Sequence, residues 1–303
     1  MSAKFLRFNV DGKGERSGFV YNNEIYDITD VVGTDFNNII KDGRINDKLF
    51  LDGLKNSTVK KKPIGVSFQD ACRNQKINGI SLRIPIFPPE VWGVGVTYKK
   101  NRDLHEEDLK VQKNKYEGLY DYVYNSTRPE IFFKALPHHC VGPHEDFTIR
   151  KDSSCTIVEA ELACVLNKNA EIVAFTAAND ITAWDIELEC PLFLNYAKIF
   201  NGGCVLGPSL VPAIELENPL SLDVTCMLFR DGKQLFVKKG NTKNLKRKLD
   251  ELTKYLTVDR SIQDGAVLCT GTAVGIPSDL SCKRKDIVSI DLEEIGLLIN
   301  KAK

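Results

Sequence analysis

Three acidic residues near the middle of the chain carry the first chemical signal. Glu159 and Glu161 are separated by one place in Val158-Glu159-Ala160-Glu161-Leu162, and Asp180 follows in Ala178-Asn179-Asp180-Ile181-Thr182. Side chains on a β-strand alternate with period two, so the two glutamates point to one face. The next run, Leu162-Ala163-Cys164-Val165-Leu166, is apolar. The pair therefore sits at the mouth of a strand entering a core, where carboxylates need a counter-charge. A hard divalent cation meets that need. Three carboxylates completed by water suit Mg2+ or Mn2+, whereas zinc draws more often on His and Cys. The same spacing also fits a solvated strand edge with two ordinary glutamates, so the neighbouring motifs decide between the two.

Reading outward, the chain carries Pro88-Pro89-Glu90-Val91-Trp92-Gly93-Val94-Gly95, then Arg128-Pro129-Glu130-Ile131-Phe132-Phe133-Lys134-Ala135. After the acids come Ala197-Lys198-Ile199-Phe200 and Thr270-Gly271-Thr272-Ala273. In this order the motifs resemble the fumarylacetoacetate hydrolase superfamily. The first two runs resemble most its 2-keto-3-deoxy-arabinonate dehydratase branch. The likeness is strong from about residue 85 to 300 and loose before that. It implies an α+β fold with a mixed, rolled β-sheet core, a homo-oligomer, and a divalent metal held by Glu159, Glu161 and Asp180. It also implies elimination of water from a 2-keto-3-deoxy sugar acid of the pentonate type.

That elimination removes a C3 proton, made acidic by the neighbouring ketone, and expels the C4 hydroxyl, so the site needs a base and an acid. Glu130 and Lys198 are the candidates. A lysine beside a divalent cation in a partly dry pocket could serve as a neutral base. Lys134 and Thr272 are candidate substrate-binding groups: one offers a charge, the other a hydroxyl next to a glycine that permits close approach. Trp184 is carried as a third substrate-side position, because four residues after the aspartate the family usually has an Arg that grips a carboxylate. Trp cannot replace that charge. The resemblance implies that the charged segment from Tyr98 to Glu107 is a lid that orders over the substrate. In hydrolase and decarboxylase branches a lid His pairs with a Glu to activate water; here Asn101 stands at that His position and His105 lies one helical turn on. A hydrolase or decarboxylase of acylpyruvate-like 2-oxo acids is thus the second expectation, favoured by a His105–Glu pair over the metal. A non-catalytic scaffold retaining the fold is the third, with Trp184 as its support.

Composition is compatible with this placement without producing it. In 303 residues, 41 Lys and Arg balance 41 Asp and Glu, so no global field favours nucleic acid or an anionic membrane. Apolar runs fall short of a bilayer span, and Met1-Ser2-Ala3-Lys4-Phe5-Leu6-Arg7 lacks the apolar stretch of a signal peptide. The nine cysteines, without a C-x-x-C pair, read as reduced thiols. The expectation is a cytoplasmic enzyme whose partner is a small 2-oxo acid. The cluster His138-His139-Cys140 with His144 fits no closed zinc pattern and reads as a loop.

The elements that must position these groups are mostly strands. A small N-terminal α/β domain is expected over 1–85, with a hairpin turning at Asn22-Asn23 and a helix near Phe36 to Leu51. The catalytic domain, 86–303, shows strand patterns over Glu161–Leu166, Ala170–Ala177, Leu222–Arg230, Ala266–Thr270 and Ile287–Leu292. One helix is evident, with Leu245, Leu249, Leu252 and Leu256 on one face after the cap candidates Asn241 and Thr242.

Overall fold

The computed structural model describes residues 2–303. Strands β1 (Lys4–Val10), β2 (Gly14–Tyr21) and β3 (Glu24–Asp27) open the chain as a meander, and β4 (Ile80–Arg83) returns beside β1. The β2–β3 turn is the expected one. Asn22 and Asn23 have φ of 51° and 66°, as a two-residue hairpin with both central residues left-handed requires. The expected helix over Phe36 to Leu51 is divided into Asn37–Lys41, a short turn, and Lys48–Thr58. The break falls at Gly43, with φ 79°, and at Asp47, whose carboxylate accepts the Phe50 N–H and starts the second helix.

The remaining strands are β5 (Val91–Gly95), β6 (Glu130–Ala135), the short β7 (Cys140–Val141) and β8 (Asp146–Phe147), and the long β9 (Thr156–Leu166) and β10 (Ile172–Ala183). They continue with β11 (Cys204–Pro212), β12 (Asp223–Arg230), β13 (Lys233–Asn241), β14 (Ala266–Gly275), β15 (Ile287–Leu292) and β16 (Gly296–Ala302). One sheet runs β3-β2-β1-β11-β10-β9-β14-β5-β6, with β4 also on β1 and β7 on β11. The second runs β13-β12-β15-β16-β8. Most neighbours are antiparallel, while β14–β5, β11–β7 and β16–β8 are parallel, which gives the mixed α+β architecture.

Strand β9 explains how acids enter a core. Its even positions Val158, Ala160, Leu162 and Cys164 pack in the cluster that includes Val224, Leu228 and Ile290 of the second sheet. Its odd positions Ala163 and Val165 pack on the other face, in the cluster that includes Phe5, Phe19, Phe36 and Leu206. Glu159 and Glu161 continue that odd face toward its open end. The N-terminal segment shares this core and joins the same sheet through β1 and β11, where Phe5 faces Leu210.

The helix on the leucine spacing runs Leu249–Leu256, with Leu252 and Leu256 buried. Leu245 lies before it, and Asn241 caps the short turn Thr242–Asn244 instead by accepting the Lys243 N–H. Two further helices, Lys99–Val111 and Leu119–Asn125, cover the open end of the sheet where the lid is expected. Among the described residues no helix is long and apolar enough to cross a membrane.

Candidate active site

Cross-strand register gathers the acids. Glu159 stands opposite Asp180 in the β9–β10 ladder, and Glu161 stands opposite Thr272 in the β9–β14 ladder. A bulge in β14 around Gly271 turns its N–H onto Glu161 Oε2 at 2.8 Å. Only glycine fits there. Its φ is +103°, and a Cβ would lie 1.8 Å from Thr97 Oγ1. The Thr272 hydroxyl donates to Glu159 Oε1 at 2.7 Å and reaches Glu161 Oε1 at 3.3 Å.

Lys198, the last residue of the helix Leu194–Lys198, closes the group from above. Its Nζ donates to Glu159 Oε2 at 2.5 Å, Thr182 Oγ1 at 2.7 Å and Asp180 Oδ2 at 3.1 Å. Glu187 Oε2 lies 3.8 Å away. Lys134 is fully buried behind the acids. Its Nζ is 2.6 Å from Asp180 Oδ1 and donates to the carbonyls of Ile181 and Lys198. From β6, Glu130 approaches β5 so closely that a Cβ on Gly95 would lie 2.1 Å from its Oε2.

The electrostatics follow from this crowding. Burial pushes Glu159 up, but the Lys198 ammonium and His105 outweigh it and hold the carboxyl well below its ordinary range. Burial, followed by Asp180 and Glu159, drives Glu161 well above that range. Asp180 is raised by burial despite Lys134 and Lys198, and Glu187 by burial and Glu159. Glu130 is pushed to about 7, first by burial and then by Glu187. For Lys198 burial acts downward, yet Asp180, Glu159 and Glu187 prevail and hold it strongly as an ammonium. As long as the carboxylates stay turned toward Nζ, they stabilise the proton that a neutral lysine base would have to lose.

The residues fit a divalent cation by charge and by donor type. Glu130, Glu159, Glu161, Asp180 and Glu187 share this site with two ammonium groups, Lys134 and Lys198, so full ionisation leaves an excess of negative charge. An excess of negative charge calls for a cation, and the carboxylate donors are all oxygen. The acids do not form a ready cage: among the described residues no three His, Cys, Asp or Glu side chains converge on one point. Lysines hold the Glu159 and Asp180 oxygens instead, so accepting a cation requires those carboxylates to turn from their ammonium partners.

A cavity of about 260 Å³ opens over this floor. Glu130, Glu159, Glu161, Asp180, Lys198 and Thr272 all line it, so six of the eight residues singled out from sequence meet in one place. Lys134 and Trp184 do not line it. Lys134 lies behind Asp180, because a fully buried ammonium takes the nearest carboxylate and carbonyls. Trp184 is also buried, and its indole N–H donates to Asp108 Oδ2 at 2.8 Å while its ring lies 4.2 Å from the His105 ring. It supports His105 from behind and does not touch the space for a substrate.

His105 does line the cavity, with Nε2 3.7 Å from Glu159 Oε1. The lid pairing that hydrolysis calls for is absent on its own helix, since Glu106 turns away and accepts the N–H groups of Gly118 and Asp121. Asp185 is likewise spent on Ser153 and Ser154. The histidine loop has local partners: His139 accepts the Leu136 N–H, and His144 Nε2 bonds the Cys72 carbonyl oxygen. All nine cysteines are free.

One site residue escaped the sequence reading. Thr182 bridges Lys198 and Glu159; it lies two places after Asp180 on the same strand face, a signal that alternation supplies. Glu187, which the sequence leaves as either a residue supporting the site or an ordinary polar position, reaches the cavity from the helix Trp184–Glu189 and accepts the Tyr120 hydroxyl.

Known proteins show the same organisation. A family model described as fumarylacetoacetate (FAA) hydrolase C-terminal matches residues 91–303. Over 239 residues the chain is 42% identical to the 2-dehydro-3-deoxy-D-arabinonate dehydratase of Saccharolobus solfataricus, covering 79% of this chain and 80% of that protein. It is 35% identical over 217 residues to a probable 2-keto-3-deoxyxylonate dehydratase of Haloferax volcanii, covering 72% and 73%. A solved 2-keto-3-deoxy-D-arabinonate dehydratase complexed with magnesium and 2,5-dioxopentanoate superposes with a TM-score of 0.81 at 35% identity, over 99% of this chain and 98% of that one. The strand order, the buried acids and these likenesses agree: the chain belongs to the fumarylacetoacetate hydrolase family.

Proposed function

We propose that the protein is a magnesium-dependent hydro-lyase that removes water from a 2-keto-3-deoxy pentonate or a close relative. The observation that carries this reading is the meeting of three buried carboxyl side chains, Glu159, Glu161 and Asp180, with Glu130 and Lys198 in one cavity. The similarity to dehydratases of this substrate class supports it.

Glu159, Glu161 and Asp180 would hold the metal, whose Lewis acidity, once it is bound, makes the C3 protons of a 2-keto acid easier to remove. Glu130 takes the base role: with its carboxyl at about 7, it is substantially ionised at neutral pH and can accept a C3 proton. Lys198, held as an ammonium, is the donor to the departing C4 hydroxyl. Thr182 and Thr272 fix the carboxylate rotamers through their hydroxyls. Lys134 fixes Lys198 by binding its carbonyl oxygen. The lid residues Asn101, His105 and Leu109 cover the cavity and limit access of water to the carbanionic stage.

Manganese in place of magnesium, a homo-oligomeric state and a cytoplasmic setting belong to the same proposal. Nine free thiols fit a reducing compartment. The test of the central reading is incubation of magnesium-loaded protein with 2-keto-3-deoxy-pentonates. Loss of one water by product mass, abolished by Glu161→Gln, is the expected result. Carbon–carbon cleavage or no reaction contradicts it.

A further inference from the structure

Four strands pair their residues in one row. Glu159 of β9 stands opposite Asp180 of β10, Asp180 opposite Cys204 of β11, and Cys204 opposite Cys140 of β7. Residues paired directly across strands share a face of the sheet, so the row that begins with two acids ends with two thiols. Cys204 is buried and Cys140 half-buried against the same apolar cluster. Cys269 of β14 joins that cluster, and the Cys204 sulfur interacts with the thiols of both Cys140 and Cys269.

The two segments that lead to this pair also carry the two lysines of the site. Cys140 lies six places after Lys134, and Cys204 six places after Lys198. Lys134 Nζ donates to the Lys198 carbonyl oxygen at 2.7 Å. A bond between the two sulfurs therefore closes a ring around that contact and ties together the segments that bring both ammonium groups to Asp180.

Spacing and access both favour such a bond. Neighbouring strands lie about 4.7–4.9 Å apart, inside the roughly 4.4–6.8 Å between Cα atoms that a disulfide spans. Six of the nine cysteines are buried, while Cys140, Cys155 and Cys190 are not. Among the described residues, Cys140 is the one of these three that is paired in register with another cysteine. Its sulfur also meets the Leu136 carbonyl oxygen at 3.5 Å, a weak bond for a thiol to give up.

We propose that Cys140 and Cys204 are a modification site for hydroperoxides, forming a reversible disulfide with Cys140 as the thiol that the oxidant reaches. The Cys140 sulfur attacks one peroxide oxygen and the O–O bond breaks. A sulfenic acid forms, and the other oxygen leaves with the thiol proton as an alcohol or water. The Cys204 sulfur then attacks the sulfenic sulfur: the S–S bond forms, the S–O bond breaks, and hydroxide leaves with the Cys204 proton as water. The two thiols together lose two electrons and two protons, and the peroxide takes them up. A dithiol reverses the oxidation by exchange. This chemistry is independent of the elimination proposed above.

The experiment treats the reduced, folded protein with hydrogen peroxide, blocks the remaining thiols and maps disulfides by peptide mass without reduction. Circular dichroism follows the fold throughout. The expected result is a Cys140–Cys204 linked peptide, lighter by two hydrogens than its two parts, that dithiothreitol separates. In Cys204→Ser, dimedone traps a sulfenic acid at Cys140. In Cys140→Ser, Cys204 stays reduced at the peroxide dose that links the parent. A link from either cysteine to any other partner overturns the inference, as does oxidation of Cys140 in the folded parent without a link. Equal oxidation of Cys204 in Cys140→Ser contradicts the entry of the oxidant at Cys140.

Discussion

Glu159 and Asp180 face each other directly across the β9–β10 ladder, and one ammonium, that of Lys198, bonds both carboxylates. Any cation entering the site therefore competes with a lysine, and the consequences for stability, pH and metal dependence can be worked out from that competition.

Magnesium binding is expected to stabilise the fold by mass action. At one hundred times its dissociation constant the gain is about 2.7 kcal/mol, provided that the unfolded chain does not bind the ion. Thermal unfolding with and without magnesium measures it. The shift should be lost in Glu161→Gln, which removes the acid that no lysine bonds directly. An equal shift in that variant would place the ion elsewhere.

Lys134→Met is expected to destabilise the protein by about 3–5 kcal/mol, because it leaves Asp180 buried without its nearest counter-charge. Urea unfolding provides the measurement. Magnesium should restore more stability to this variant than to the parent, since the ion replaces part of the missing charge.

Glu130 links activity and stability to pH with opposite signs. Its folded-state value of about 7 lies above that of an unfolded glutamate, near 4.5, so the folded protein holds the proton more tightly. Stability from this group is present below the unfolded value and is lost as pH rises through about 7. Glu130→Gln should therefore gain stability relative to the parent between pH 5 and pH 8 in a series of melting curves, while losing about 10²- to 10⁴-fold in kcat. In the parent, kcat/KM should rise over the same pH window, because the base must be ionised.

Trp184→Phe removes the N–H donated to the Asp108 carboxylate and should cost about 1.5–3 kcal/mol, with little change in KM. A large rise in KM instead would show that Trp184 touches the substrate. Calorimetry and steady-state kinetics on one preparation separate the two outcomes.

Much of the floor of the site was legible because strand alternation and short motifs are local. Glu159, Glu161 and Asp180 lie on strands whose apolar continuation marks the inward face, and Glu130, Lys198 and Thr272 stand in runs with a recognisable order. The direction of Lys134 was not legible, since its partners are carbonyls 47 and 64 residues away. Trp184 was misplaced because its partners Asp108 and His105 belong to a lid helix with few apolar residues. That helix turns Asn101, His105 and Leu109 inward at a spacing of four, so its buried face is largely polar and a hydrophobic pattern does not reveal it. The union of the first 85 residues with the main sheet depends on the pairing of Phe5 with Leu210, a contact that no local pattern specifies.

The most direct test of the account is the product formed from a 2-keto-3-deoxy-pentonate by the magnesium-loaded protein, with Glu161→Gln and Glu130→Gln alongside. The account predicts a product lighter by one water, magnesium-dependent, and lost or strongly slowed in both variants. A product of carbon–carbon cleavage, or water loss that survives Glu161→Gln and chelation of the metal, would contradict it.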